Sequence, residues 1–359
     1  EKTPSFTVVP TKGFYHCFGC GEHGTAIGFL MNYDRLGFVE AVEALAEMLG
    51  VEVPKTRDGS GKLSDGGVYD ILKEADQIYR NTLRENSEAI AYLKNRGIDG
   101  TTAGRFAMGF APDAWDTVLK KLGTNDERIK LLRDAGLVIR NDQGREYDRF
   151  RNRIMFPIRD PRGRIIGFGG RVMGKEEPKY LNSPETPVFR KGRSLYGLYE
   201  ARQVPGRPTE ILVVEGYFDV ASLSQHGVEP SVATLGTATT PDHIRRLTRI
   251  TDRIVFCFDG DRAGRKAAWR ALETVLPHAG GTVELKFLLL PEGQDPDDFV
   301  RQHGAETFRE LLATAKPLSE FLIEELQAQV ELSTTDGRSR LTALVGPLLE
   351  KLPTGVYRE

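Results

Sequence analysis

Three groups of carboxylates, each at the end of a short apolar run, carry the clearest chemistry in this sequence. Glu215, with Asp219 four residues on, follows Ile211-Leu-Val-Val214. Asp259 and Asp261, with Gly260 and Gly264, follow Ile254-Val-Phe-Cys-Phe258. Asp295, Asp297 and Asp298 follow Leu288-Leu-Leu290. Carboxylates crowded into one volume repel one another, and their hard oxygens suit a divalent cation such as Mg²⁺ or Mn²⁺. Held by one or two carboxylates, such a cation can also grip phosphates, and two of them stabilise both oxygens of an in-line displacement at phosphorus. A metal-dependent enzyme is the expectation. Any one cluster alone would be an ordinary cap or turn; three at consecutive strand ends argue against that.

The elements that must position these groups are buried parallel strands separated by helices, because the apolar runs are continuous rather than alternating. In such sheets, functional groups gather outside the carboxyl ends of the strands. Gly216 permits a tight exit into a helix starting near Tyr217. Asp259 and Asp261, two apart, would share one side of an extended strand, and Gly260 and Gly264 would let backbone approach a ligand. Pro296 fixes the turn before a further helix, and Thr240 before Pro241 reads as a helix N-cap. The pattern elsewhere predicts a helix from Phe38 to Leu49, a Gly-rich linker, and helices from Val68 to about Ala135. Strand-like sequence follows from Leu137 to Arg171, a boundary falls at Pro205-Gly-Arg-Pro208, and helices are predicted at Leu318 to Val330 and Ser339 to Leu352.

At 359 residues, with 40% hydrophobic and 28% charged residues, the chain has the composition of a soluble multidomain protein. No apolar run has membrane-spanning length and no signal-peptide pattern occurs. Three cysteines suit a reducing, cytoplasmic setting, and a net charge of −2 says nothing about nucleic acid, which must be argued locally. The chain begins with Glu1 rather than Met and stops just after a helical pattern, so a fragment of a longer protein is expected.

Cys17-Phe-Gly-Cys20, set among glycines and aromatics, reads as half of a tetrahedral zinc site. His16 and His23 are poorly placed to close the same tetrahedron, so the other half is expected upstream of Glu1. A redox Cys-x-x-Cys is the rival, and it lacks its βαβ context. Cys257, between Phe256 and Phe258, is expected to be a buried inert thiol. Arg145 to Arg171 holds eight arginines against three acidic residues. Alternation of Arg149, Arg151 and Arg153 would put three guanidinium groups on one strand face, with Phe150 and Ile154 behind, suiting phosphates along a nucleic-acid backbone. Gly163, Gly167, Gly169 and Gly170 would keep that surface low enough for a strand to lie against it. A solvated strand face is the plainer alternative.

These motifs resemble known ones. Glu215-Gly with Asp219, Asp259-Gly-Asp261-Arg-Ala-Gly264 and Asp295-Pro-Asp297 are similar to the signatures of the toprim fold. Glu1-Lys-Thr-Pro-Ser-Phe6 with Tyr15-His-Cys-Phe-Gly-Cys-Gly21 resembles the zinc-binding domain of bacterial replicative primases of the DnaG type. Arg149-Phe-Arg-Asn-Arg-Ile-Met-Phe-Pro-Ile158, Gly167-Phe-Gly-Gly-Arg171 and Pro178-Lys-Tyr-Leu-Asn-Ser-Pro-Glu-Thr-Pro187 look like that family's polymerase core. The resemblance implies Mg²⁺ or Mn²⁺ on Glu215, Asp259 and Asp261, with Asp219, Asp295 and Asp297 supporting or completing the site. It implies Zn²⁺ on Cys17 and Cys20, with ligands upstream completing the set. It also implies a basic ridge for template and incoming nucleotide made of Arg96, Arg149, Arg151, Arg171, Lys179, Tyr180 and Lys191.

The architecture so implied is multi-domain α/β. A small zinc-ribbon-like unit (1–54) and a linker (55–67) precede a mixed α+β subdomain of the polymerase core (68–206). A toprim parallel sheet (207–300) and a C-terminal helical bundle (301–359) follow. The implied activity is DNA-directed synthesis of short RNA primers on single-stranded DNA from ribonucleoside triphosphates, in the cytoplasm at the replication fork, by a monomer. A replicative helicase is expected to bind a C-terminal domain absent from this chain, and no membrane partner is expected. Two other readings stand at this point: another toprim enzyme, a nuclease or topoisomerase, and a non-catalytic zinc-containing DNA-binding module. Metal-dependent turnover separates the last from both enzymes.

Overall fold

Residues 5–33, 38–49, 65–279 and 283–353 are described by the structure, a computed structural model in which the chain divides into two units, 1–62 and 63–359. In the first, β1 (Phe6–Val9), β2 (Phe14–Cys17) and β3 (His23–Thr25) form an antiparallel sheet in that order, followed by α1 (Ala26–Tyr33) and α2 (Phe38–Leu49). Tyr15 stacks on Phe6 at 5.4 Å between ring centroids and meets Phe29 edge-on at 5.1 Å. Aromatic contacts of this kind supply much of the apolar burial a small unit can muster. The expected linker falls partly on residues 50–64, outside the described ones, and its last part is helix, because α3 (Asp65–Glu85) already begins at Asp65.

The second unit opens with α3, α4 (Ser87–Asn95) and α5 (Gly100–Arg105), the last two N-capped by Asn86 and Asp99 side chains. Then come β4 (Gly109–Ala111), α6 (Thr117–Leu122), α7 (Asp126–Asp134) and the hairpin β5 (Val138–Arg140) with β6 (Glu146–Asp148). The strands β7 (Arg153–Arg159), β8 (Ile165–Val172) and β9 (Tyr180–Asn182) join β4 in an antiparallel sheet of order β4-β7-β8-β9. A short helix, α8 (Leu198–Arg202), leads into the alternating part.

There, β10 (Ile211–Val214), α9 (Tyr217–Gln225), β11 (Ser231–Ala233), α10 (Pro241–Leu247), β12 (Arg253–Phe258), α11 (Arg262–Val275), β13 (Glu284–Leu289) and α12 (Pro296–Ala313) alternate as the apolar runs predict. The sheet order is β11-β10-β12-β13-β14, the first four parallel and the short β14 (Lys316–Pro317) antiparallel. The fifth strand thus comes from beyond residue 300. One face of this sheet packs on the antiparallel-sheet region through Val214, Tyr217, Phe218, Phe156 and Tyr196. The other face, with Ile211, Val213, Phe256 and Phe287, is covered by α11, α13 (Leu318–Gln327) and α14 (Thr335–Lys351). Cys257 is fully buried, as expected. Among the described residues, no helix is long and apolar enough to cross a membrane.

A candidate metal and nucleic-acid site

The acidic residues sit where strands hand over to helices. Glu215 follows β10, and the Gly216 N–H donates to Asp219 Oδ2 at 2.8 Å, tucking that carboxylate into the first turn of α9. Asp261 N-caps α11, accepting from the Gly264 N–H at 2.7 Å, and Asp295 N-caps α12, accepting from the Asp298 N–H at 2.7 Å. This corrects two expectations. The strand β12 ends at Phe258, so Asp259 and Asp261 lie in the turn after it and do not share a face of an extended strand. Nor do the glycines make room for a ligand: a Cβ on Gly264 would lie 2.2 Å from Asp259 O, and one on Gly260 2.0 Å from Pro291 O. They let backbone approach backbone, which holds Asp259 at the strand end. Gly264→Ala is accordingly expected to destabilise by about 1–3 kcal/mol through overpacking and to displace Asp259; a thermal melt indistinguishable from wild type would refute this.

The electrostatics single out an uncompensated set. Burial pushes Asp259 up to about 7, with Glu215, Asp295 and Asp261 adding to it. Burial also raises Glu215, helped by Asp261, and Asp219 is driven well up by burial and then by Asp295, Asp259 and Asp297. No positive side chain is among the causes for Glu215, Asp259 or Asp219. Glu215 and Asp261 are exposed and Asp259 half-buried, so the group opens to solvent. The tightest grouping by distance is different: oxygens of Asp295, Asp297 and Asp298 lie within 4.8 Å of one another. Two of these are already paired, however. The fully buried Asp297 accepts from Arg96 Nη2 at 2.7 Å and lies 3.2 Å from Arg301 Nε, and Asp298 accepts from Arg301 Nη2 at 2.5 Å. Mutually repelling hard-oxygen donors that lack a cationic partner fit a divalent cation better than a carboxylate held between arginines. Glu215, Asp259 and Asp261, flanked by Asp219 and Asp295, are that set.

The basic residues are arranged otherwise than the alternation predicts. Asn152 has φ 48°, in the left-handed region, and β7 pairs only from Arg153, opposite Val172. Arg149, Arg151 and Arg153 therefore do not form one strand face. Arg149 donates through Nη2 to Asn182 O at 3.0 Å, and the buried Arg153 through Nη1 to Lys179 O at 3.3 Å. Arg151 lies over the exposed Trp115 indole, 3.9 Å from its centroid, and donates to Asp148 O at 2.7 Å. Phe150 and Ile154 are buried as expected. The glycines of β8 are covered by the protein's own groups: a Cβ on Gly169 would meet the Tyr217 ring at 2.3 Å, and one on Gly170 would meet Arg153 and Phe150 at 3.1 Å.

Nearer the acids, Arg171 donates through Nε to Tyr92 Oη at 2.8 Å, bonds Tyr180 Oη, and lies over the Tyr180 and Phe218 rings. Arg96 stacks on Phe218 at 5.0 Å while holding Asp297. Thus Arg96, Arg171 and Tyr180 border the acidic group. The ammonium groups of Lys179 and Lys191 have no hydrogen-bond or ion-pair partner among the described residues. Sequence reasoning missed the parts that join this face to the acidic sheet. Tyr217 Oη donates to Asn182 Oδ1 at 2.6 Å, and Asn182 Nδ2 donates to Leu235 O at 2.8 Å. These pairs, like Arg96 with Asp297, lie far apart in sequence and leave no local signal.

In the first unit, Cys17 is half-buried and Cys20 exposed. The backbone N–H of Cys20, then Ser5, lower the Cys17 thiol, which favours the thiolate form that a metal ligand requires. His16 stands opposite His23 across β2 and β3, on a strand position whose side chain alternates away from that of Cys17. Among the described residues no third His or Cys gathers with the two cysteines.

Comparison with known proteins places these features together. The family described as DNA primase catalytic core, N-terminal domain, matches residues 78–202; CHC2 zinc finger matches 1–60 and Toprim-like 212–300. DnaB-helicase binding domain of primase matches 319–359, which corrects the expectation that the helicase-binding domain is absent from this chain. DNA primase of Escherichia coli (strain K12) is 54% identical over 365 residues, covering 100% of this chain and 63% of that protein. The chain thus spans less than two thirds of the curated relatives it matches. A DnaG primase catalytic domain bound to ssDNA is similar at 52% identity and TM-score 0.76, over 82% of this chain and 95% of that one. The Aquifex aeolicus primase (zinc-binding and RNA polymerase domains) is similar at 36% identity and TM-score 0.70, over 100% and 85%. With a zinc ribbon, a primase catalytic core and a toprim sheet in one order along it, the chain belongs to the DnaG-type family of bacterial DNA primases.

Proposed function

We propose that this chain carries the polymerising core of a DNA primase, a nucleotidyltransferase that makes short RNA primers on a single-stranded DNA template. The observation that carries the reading is the uncompensated carboxylate set at the ends of β10 and β12, bordered by Arg96, Arg171 and Tyr180. In this reading Glu215, Asp259 and Asp261 hold Mg²⁺ or Mn²⁺, and Asp219 and Asp295 add negative charge around it. A cation held there would supply the charge that lowers the pKa of a primer 3′-hydroxyl and neutralises the triphosphate. The protein's own part is positioning. Glu215 and Asp259 present oxygens from the residues just beyond two adjacent sheet strands, and Gly264 keeps Asp259 in place. Arg171, Lys179 and Lys191 offer positive charge to phosphates, so that the hydroxyl attacks the α-phosphorus in line and pyrophosphate leaves toward cationic side chains.

Residues 68–206 form the polymerase N-terminal subdomain in this scheme, 207–300 the catalytic one and 301–359 a helical one whose end contacts a replicative helicase. Cys17 and Cys20 serve as two zinc ligands, and the zinc unit (1–54) reads template. The protein acts as a monomer in the cytoplasm. Incorporation of labelled ribonucleotides on single-stranded DNA with Mg²⁺ or Mn²⁺ tests the proposal. Metal-dependent oligoribonucleotides are expected; degradation of the DNA instead would make it a nuclease, and neither outcome with stable DNA binding would make it a binding module.

The arginine over Trp115 supplies a second test. Arg151→Glu is expected to weaken single-stranded DNA binding on the order of tenfold, the scale of one hydrogen bond to a charged group. It should also shallow the log–log salt dependence by about 0.7 for each phosphate that the variant no longer neutralises. Unchanged affinity and slope would remove Arg151 from the nucleic-acid face.

A further inference from the structure

We infer that Thr240 and His243, at the start of α10, are positioning residues that fix the Lys191 turn, and so aim the Lys191 ammonium at a phosphate. The inference rests on the proposed role of Lys191 in phosphate binding. Lys191–Arg193 is a single 3₁₀ turn between the buried Phe189 and Leu195, and a turn this short has few backbone hydrogen bonds of its own. Two of its carbonyls are held from outside. Thr240 Oγ1 donates to Gly192 O at 2.6 Å, and His243 Nε2 lies 3.1 Å from Lys191 O. The anchors also lock each other: the His243 N–H donates to Thr240 Oγ1 at 3.2 Å, and the Thr240 N–H donates to His243 Nδ1 at 3.3 Å.

This reciprocity sets the tautomer. A backbone N–H can donate to Nδ1 only if that nitrogen is unprotonated, so the ring proton sits on Nε2 and points at the Lys191 carbonyl. His243 is fully buried, so neither hydrogen bond is shared with bulk water. A helix cap on one side of the molecule thereby uses its spare hydrogen-bonding capacity to clamp a loop 52 residues away in sequence. On the other side of the turn, the Lys191 N–H donates to Glu185 Oε1 at 2.9 Å. The backbone is held at both ends while the ammonium stays without a partner among the described residues, which is what a phosphate-facing lysine needs.

The test is a double-mutant cycle in the chain as it stands, with His243→Leu, Lys191→Ala and the pair. Its readouts are affinity for a single-stranded DNA oligonucleotide across a salt series and the KM and kcat for ribonucleotide incorporation. We expect His243→Leu to reproduce most of the Lys191→Ala loss, about three- to tenfold in one of the two affinities, and to add little to it in the double variant. A changed salt slope for the oligonucleotide assigns the phosphate to the template strand; a raised KM with kcat and DNA affinity unchanged assigns it to the triphosphate. His243→Gln, which can still present an N–H to the Lys191 carbonyl, should restore most of the loss.

Should His243→Leu fail to fold, Thr240→Val against Thr240→Ser poses the same question through the hydroxyl. Full additivity of His243→Leu and Lys191→Ala overturns the clamp while leaving Lys191 in the site. A Lys191→Ala variant with wild-type behaviour in both assays overturns the phosphate reading of Lys191 and the clamp with it.

Discussion

Replacing Asp259 by Asn is expected to reduce ribonucleotide incorporation by about 10²- to 10³-fold, taking removal of one preorganised electrostatic group as the scale, while making the metal-free protein more stable at pH 8. The second half follows from the carboxyl's environment. Its pKa in the folded protein, pushed up to about 7 by burial and by Glu215, Asp295 and Asp261, lies well above the ordinary carboxylate range. A group raised in this way makes the folded state the better proton binder, so its favourable contribution is present below about pH 4 and is lost as pH rises through about 7. Asparagine carries no charge to lose. Without divalent cations the variant should therefore melt several degrees above wild type at pH 8 and level with it near pH 4. Addition of Mg²⁺ should raise the wild-type melting temperature at pH 8, more weakly at pH 5.5 where protons compete, and scarcely move the variant. A variant that melts below wild type at pH 8, or that gains as much from Mg²⁺, would show that Asp259 is not part of an uncompensated cation site.

Arg96→Met should cost about 2–3 kcal/mol of stability at pH 8, because it strips one cation from a fully buried carboxylate. Arg301 remains beside Asp297, which keeps the cost below that of a wholly orphaned charge. Burial already holds the Asp297 carboxyl above its usual range, and Arg96 is the main influence pulling it down. Loss of the arginine lets it rise further. The deficit should then shrink as pH falls and Asp297 takes up a proton in both proteins. A stability loss that is the same at pH 5 and pH 8 would mean that Arg96 matters through its packing on Phe218 and not through its charge. The same variant should lower activity, since the pair ties the end of α4 to the first turn of α12.

The parallel sheet and its acidic rim were legible because each is a local matter. A run such as Ile254 to Phe258 is buried on both faces whatever its neighbours, and Asp261, Asp295 and Thr240 announce helix starts through their own hydrogen bonds. The helix Phe38–Leu49 was readable to its ends for the same reason. Alternation misled at Arg149, Arg151 and Arg153 because side-chain direction depends on where pairing with β8 begins, and a left-handed Asn152 resets it. The glycines after Asp259 showed that something comes close without showing what; it is the chain itself. Arg96 with Asp297, 201 residues apart, and His243 with Lys191 are set by how subdomains dock. A single sequence carries no trace of such pairs.

The parallel sheet is also finished at both margins. On the β11 side, Tyr196 exchanges both backbone hydrogen bonds with Ala233. On the other side, the final strand is two residues long and one of them is Pro317, which has no N–H to offer. A strand from another protein therefore finds no ladder to extend along this sheet. Chains crowded together at high concentration accordingly lack, along this sheet, the edge-to-edge route into fibrils that an open parallel sheet would give them.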